Sequence, residues 1–205
     1  MKPVAFVTGA SSGTGRAVAI AMGAQGYRLV LVGRNAAALR AIGEAAGAEV
    51  HVAEADLTDA ARTEAALAEG LEWAGRADVL VNAAGITGPI GAEIGAIGLA
   101  DFDATLAVNL RAPFITLSAL LPVMRRQQAG RVVSIGGTHG MRGRAGRAAY
   151  VASKWALRGL HRTAALEAGA DGVTVNMVMP GPIQVERMER AWQAERHSAK
   201  PKTCL

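Results

Sequence analysis

PVAFVTGASSGTG occupies residues 3–15. Its first half is a short apolar run rich in β-branched residues and reads as a strand buried on both faces. Its second half, TGASSGTG at 8–15, places glycines at 9, 13 and 15, and a helical stretch follows from about Arg16 to Gln25. Small residues between a strand and a helix allow a tight turn and close backbone approach. The helix N-terminus then offers free N–H groups to a pyrophosphate. The spacing is G-x-x-x-G-x-G rather than G-x-G-x-x-G, with the same mechanics.

Working outward, YRLVLVGR (27–34) reads as a second strand. Its end lies about twenty residues past the glycine loop, where an acid would hold the ribose 2′-hydroxyl of NAD. Gly33 and Arg34 stand there instead. No carboxylate at that strand end repels a 2′-phosphate, and an arginine can pair with one, which favours NADP(H) over NAD(H). The bland alternative is an arginine that merely ends a strand. An alanine-rich helix (36–46), a short strand near 50–52 and Asp56-Leu57-Thr58-Asp59 follow, with Thr58 or Asp59 able to cap the next helix. ADVLVNAAG (77–85) is a fourth buried strand ending in a small-residue turn, and 86–100 reads as a rim loop. One long helix is expected over 101–126, with Asn109 in its middle and Pro113 inviting a kink that frees a main-chain carbonyl. VTVNMVMPG (173–181) is the last strand. Alternating strands and helices of this kind predict an α/β fold with a doubly wound parallel sheet, its ligands beyond the strands' carboxyl ends.

The second informative stretch is RVVSIGGTHGMRGRAGRAAYVASK, 131–154. It begins as a strand, breaks into a loop rich in glycine and arginine, and ends on a helix carrying Tyr150 and Lys154. Residues four apart share a helix face. An ammonium beside a phenol favours the phenolate. Moving a tyrosine from ~10 to about 7 needs roughly 4 kcal/mol, which Lys154 and a cationic nicotinamide ring would supply together. Such a phenol is a general acid/base for a carbonyl or alcohol. Alone, the Y-x-x-x-K spacing also fits an ordinary amphipathic flank.

Composition narrows the classes. Of 205 residues 51% are hydrophobic but only 4% aromatic, so the core must be Ala, Val, Leu and Ile. The single cysteine, Cys204, supports neither an internal disulfide nor a metal cluster, and suits a reducing cytoplasm. The four histidines lack metal-ligand spacing, so no metal is expected. No signal peptide or uninterrupted membrane span is read. The net charge of +5 comes from dispersed basic residues without interleaved aromatics, which argues against nucleic acid.

TGASSGTG, Asp56, NAAG at 82–85, Asn109, Tyr150-x-x-x-Lys154 and Pro180-Gly181 stand in one order, and in that order the chain resembles the short-chain dehydrogenase/reductase family over about 4–185. The resemblance implies a Rossmann-like domain over 1–185 and a reaction between an alcohol and a ketone. It implies that Tyr150 passes the proton, that Lys154 holds the nicotinamide ribose and keeps the phenol acidic, and that Asn109 holds a relay water. Thr8, Gly9, Ser11, Ser12, Gly13 and Gly15 would wrap the adenosine ribose and diphosphate. Asp56 and Leu57 would meet the adenine, Asn82, Ala83 and Gly85 the adenine ribose, and Pro180, Gly181 and Ile183 the nicotinamide.

Two departures stand out. Where the family's N-I-S-S carries a serine that donates to the substrate oxygen, this chain reads Ser134-Ile135-Gly136-Gly137. By analogy with an oxyanion-hole donor, its loss lowers turnover by about 10²–10³. Thr138 is the adjacent hydroxyl and the candidate stand-in, His139 a weaker one. Residues 186–205 read as a truncated lid helix and irregular tail, without the family's last strand, so that VTVNMV is left at a sheet edge. The family's usual oligomer contacts through that region would be absent, though a homo-oligomer is not excluded. The leading expectation is an NADP(H)-preferring oxidoreductase on a small alcohol or ketone. The alternative is a dinucleotide-binding relative with little or no turnover.

Overall fold

The structure, a computed structural model, describes residues 2–183. Six strands form one parallel sheet: β1 (Val4–Thr8), β2 (Arg28–Gly33), β3 (Val50–Glu54), β4 (Val79–Asn82), β5 (Gly130–Ile135) and β6 (Val173–Val178), in the order β3-β2-β1-β4-β5-β6. The chain moves outward from β1 through β2 and β3, then returns to β4 and continues the other way. The order therefore reverses between β1 and β4, and a crevice opens at their carboxyl ends. In register, Thr8 stands between Val32 and Asn82, and Asn82 opposite Ser134.

Helices cover both faces: α1 (Gly13–Ala24) and α2 (Ala36–Ala46) on one, α3 (Ala60–Ala74), α5 (Ala112–Gln127) and α6 (Ala148–Ala168) on the other, with α4 (Leu99–Leu106) leading into α5. Ala5, Val7, Leu29, Leu31 and Val81 pack with Leu39 and Ile42 on the first face. Phe6, Val30, Leu80 and Val132 pack with Leu67, Ile115, Leu120 and Met124 on the second. Each such large side chain taken fully from water contributes about 1.5–3 kcal/mol. Asp59 is the cap of α3, its Oδ1 accepting the Arg62 N–H at 3.0 Å.

The helix expected over 101–126 is found within a continuous helical run, Leu99–Gln127. α4 and α5 are joined within that run by a π-helical turn, Ala107–Arg111, and Pro113, two residues past it, has no N–H to give to a carbonyl of that turn. The irregularity therefore includes Asn109 and lies just ahead of the proline. Leu99–Gln127 is also long and apolar enough to cross a membrane by length and composition, contrary to the expectation that no stretch is. Its apolar positions Ile115, Leu117, Leu120 and Met124 are core residues, which accounts for that composition. Among the described residues β6 pairs with β5 alone and is the sheet's edge. The lid helix expected over 186–205 lies outside the described residues.

Candidate active site

The glycine loop is locked by packing. Gly9 (φ +67°) and Gly13 (φ +53°) adopt left-handed backbone. A Cβ on Gly9 would lie 2.7 Å from the Ala84 Cα, and one on Gly15 would overlap the Gly9 carbonyl. Thr8 is buried and its Oγ1 accepts the Ala84 N–H at 3.3 Å, so the loop after β1 and the turn after β4 form one wall. At Ser12, the N-cap of α1, the side chain caps nothing, and the first turn carries no acid. That end of the helix is open to an anion.

An open cavity of about 480 Å³ lies against this wall. Of the expected cofactor residues, Gly9, Ser11, Ser12, Gly13, Arg34, Asp56, Leu57, Ala83 and Gly85 line it. Thr8, Gly15 and Asn82 stand behind the lining: all three are buried, and Asn82 Oδ1 accepts from the Thr116 hydroxyl at 2.9 Å. Gly33, Ala55, Ile86 and Ile135 line the cavity without having been expected. They are residues at or just past strand ends, so the signal for them was position in the topology rather than residue type.

Arg34 is 78% exposed at the cavity, its guanidinium 3.8 Å from Asp56 Oδ2. The reading that no carboxylate stands near Arg34 therefore holds for the end of β2 but not in space, because β3 delivers Asp56 beside it. Asp56 Oδ1 accepts both the Thr58 N–H and its hydroxyl at 2.9 Å. Those bonds, the backbone one foremost, and then Arg34 hold its carboxyl below the usual range. An exposed pair of this kind is worth at most about 1 kcal/mol, so a phosphate can compete for the arginine.

At the other end of the crevice, Lys154 is buried and its Nζ donates to the Ile135 carbonyl at 2.9 Å. The same Nζ lies 5.6 Å from the centre of the Tyr150 ring. Asn109 Oδ1 accepts the Ile86 N–H at 2.8 Å, and its Nδ2 donates to the Ile86 carbonyl at 2.9 Å and to Ser153 Oγ at 3.1 Å. Its amide therefore fastens the start of the rim loop to α6, a clamp the sequence did not reveal.

A Cβ on Gly137 would sit 3.6 Å from the Tyr150 hydroxyl, so this backbone position faces the phenol. Thr138 begins the next turn, Thr138–Gly140, and its N–H donates to the Pro180 carbonyl at 3.3 Å. Pro180 is thereby tied to the β5 end of the site, and Gly181 and Ile183 follow it, exposed. Ser134, expected inside the strand, is in β5 and fully buried.

The model of the short chain dehydrogenase family matches residues 3–196. Levodione reductase of Leifsonia aquatica is 35% identical over 193 residues, covering 92% of this chain and 72% of the relative. D-beta-hydroxybutyrate dehydrogenase of Cupriavidus necator is 36% identical, covering 93% and 76%. A solved metagenomic short-chain oxidoreductase in complex with NADP superposes with a TM-score of 0.83 at 37% identity, covering 99% of this chain and 93% of that one.

Proposed function

The chain belongs to the short chain dehydrogenase family, and from that membership we propose an NADP(H)-preferring oxidoreductase that interconverts a secondary alcohol and a ketone or related carbonyl in the cytoplasm. The observation that carries the reading is the buried Lys154 ammonium beside the Tyr150 ring, bonded to the carbonyl of Ile135, a residue that lines the glycine-walled cavity. A cation there favours the ionised phenol and lets Tyr150 exchange a proton with a substrate oxygen. The residues present fit a dinucleotide. The uncapped, acid-free N-terminus of α1 suits a diphosphate, and Arg34 suits a 2′-phosphate.

When bound, the nicotinamide supplies or takes the hydride. This chain's residues do the rest. Ser11, Ser12 and Gly13 orient the diphosphate, Asp56 and Leu57 meet the adenine, and Ala83 and Gly85 flank its ribose, backed by Thr8, Gly15 and Asn82. Lys154 holds the nicotinamide ribose, Pro180, Gly181 and Ile183 lie against the ring, and Asn109 keeps the rim loop and α6 in place beside the proton path. A second reading, a dinucleotide-binding relative with little turnover, is favoured by Gly137, since the position facing the phenol lacks a hydroxyl. Thr138 is the side chain that would compensate.

The test is Tyr150→Phe, assayed with NADPH on a panel of ketones. Turnover should fall by about 10²–10⁴, the range of general acid/base catalysis, with cofactor affinity nearly intact. Unchanged turnover would sink the assignment of Tyr150.

A further inference from the structure

His139 stands two residues past Gly137 and meets Tyr150 ring to ring. The two planes are inclined at 75°, with centroids 5.7 Å apart. Aromatic pairs favour this edge-to-face arrangement, at about 4.5–7 Å, over flat stacking. The turn that carries His139, Thr138–Gly140, is held at both ends. Ahead of it the Gly136 N–H donates to the Val178 carbonyl at 2.8 Å, and the Thr138 N–H to that of Pro180 at 3.3 Å. At its far end Gly140 is buried against α6. A Cβ there would lie 3.3 Å from the Lys154 carbonyl oxygen and equally close to Met179 Cε. The Gly140 N–H closes the turn on the Gly137 carbonyl at 2.9 Å.

The turn is thus pressed onto the helix that carries Tyr150, and it delivers the His139 ring to the phenol. Two other groups approach that phenol in different ways. The Lys154 Nζ lies 5.6 Å from the ring centre and acts through its charge. Gly137 faces the hydroxyl, where a Cβ would be 3.6 Å away, and has no side chain to restrain it. A phenol that passes a proton must reach its partner at hydrogen-bond distance, and a displacement of about 1 Å at such a site costs up to about 10²-fold.

Resting on the oxidoreductase reading above, we propose that His139 is a positioning residue for Tyr150. Its ring, rather than its nitrogens, keeps the phenol turned so that the hydroxyl stays beside Gly137. Lys154 supplies the charge and His139 the orientation, while the proton chemistry stays with Tyr150.

The experiment compares His139→Phe, which keeps a ring, with His139→Asn, which keeps polar atoms, and with His139→Ala. Cofactor titration checks that each variant folds. On the ketone panel kcat should fall about 3–10-fold in the Asn and Ala variants, the scale of one aromatic pair, with KM unchanged. His139→Phe should recover most of that loss. In a Tyr150→Phe background the same substitutions should change nothing further, as for residues that act as one unit. The ring is also observable directly, because the chain has two tyrosines, Tyr27 and Tyr150, which isotope-labelled tyrosine resolves by NMR. The Tyr150 ring signals should keep their ring-current displacement in His139→Phe and lose it in His139→Asn and His139→Ala. Recovery by Asn but not by Phe, a loss carried by KM, or additive effects in the Tyr150→Phe background overturns the inference and leaves the oxidoreductase reading standing. Tyr150 signals that stay in place in His139→Ala overturn it too. That measurement needs no turnover, so it decides the role of His139 even where the oxidoreductase reading fails.

Discussion

A Cβ added to Gly9 or Gly15 runs into backbone, whereas one added to Gly137 meets nothing nearer than the Tyr150 hydroxyl at 3.6 Å. The two ends of the crevice thus use the same residue type under different constraints. In the glycine wall, the absent side chain lets the loops after β1 and β4 touch and leaves α1 open to an anion. Beside Tyr150 there is room for a side chain, but the backbone at φ +135° is one that glycine alone adopts readily. The first pair is fixed by the space around it and the third by its own backbone conformation. A string of letters does not distinguish them; the space around each Cα does.

Gly15→Ala should have the largest effect. Its methyl would overlap the Gly9 carbonyl, and backbone has no rotamer to escape into. Overpacking of this kind destabilises by about 1–3 kcal/mol, and here it also spreads the wall the cofactor needs. The expected result is a lower melting temperature together with loss of NADPH binding; retention of both would erase the contrast. Gly137→Ser should do the reverse. At φ +135° a serine is strained, by about 1–3 kcal/mol, so the melting temperature should drop. Turnover should nonetheless rise, by up to about 10²–10³ if the missing donor limits it. No gain would point to Thr138 or to the lid segment expected over 186–205.

The parallel sheet, the crevice and the two motif clusters were legible because each rests on local pattern: apolar strands, a glycine loop, and a tyrosine and lysine at helical spacing. What escaped was set by packing across distance. Pro113 signalled an irregularity but not its π-helical form, and Asn109 clamps Ile86, 23 residues away. Asp56 reaches Arg34 only because β2 and β3 are neighbours in the sheet.

Arg34→Ala tests the wall's outer edge. The exposed guanidinium holds Asp56 only loosely, so its removal should leave stability nearly unchanged. NADPH affinity should fall about 10–100-fold, as expected when a charge-assisted bond is lost, with NADH affinity little altered. Equal losses for the two cofactors would refute its role at a 2′-phosphate.

Acid should separate the two ends by a smaller margin. His161, on α6, is buried with Nδ1 3.0 Å from the Leu157 carbonyl, and burial, reinforced by Lys154, holds its pKa below the ordinary value. A depressed histidine contributes stability that is fully present above its unfolded pKa of about 6.5 and is lost as pH falls through the folded value, by at most about 1.4 kcal/mol per pH unit. Asp56, in the wall, is depressed by Thr58, so its contribution is present above about 4 and is lost only below that. Hydrogen exchange followed from pH 7 to pH 4.5 should therefore show α6 amides losing protection while the glycine wall holds. His161→Leu should remove that early loss. If the wall loosens first, or the substitution leaves the profile as it was, His161 is not the group that titrates.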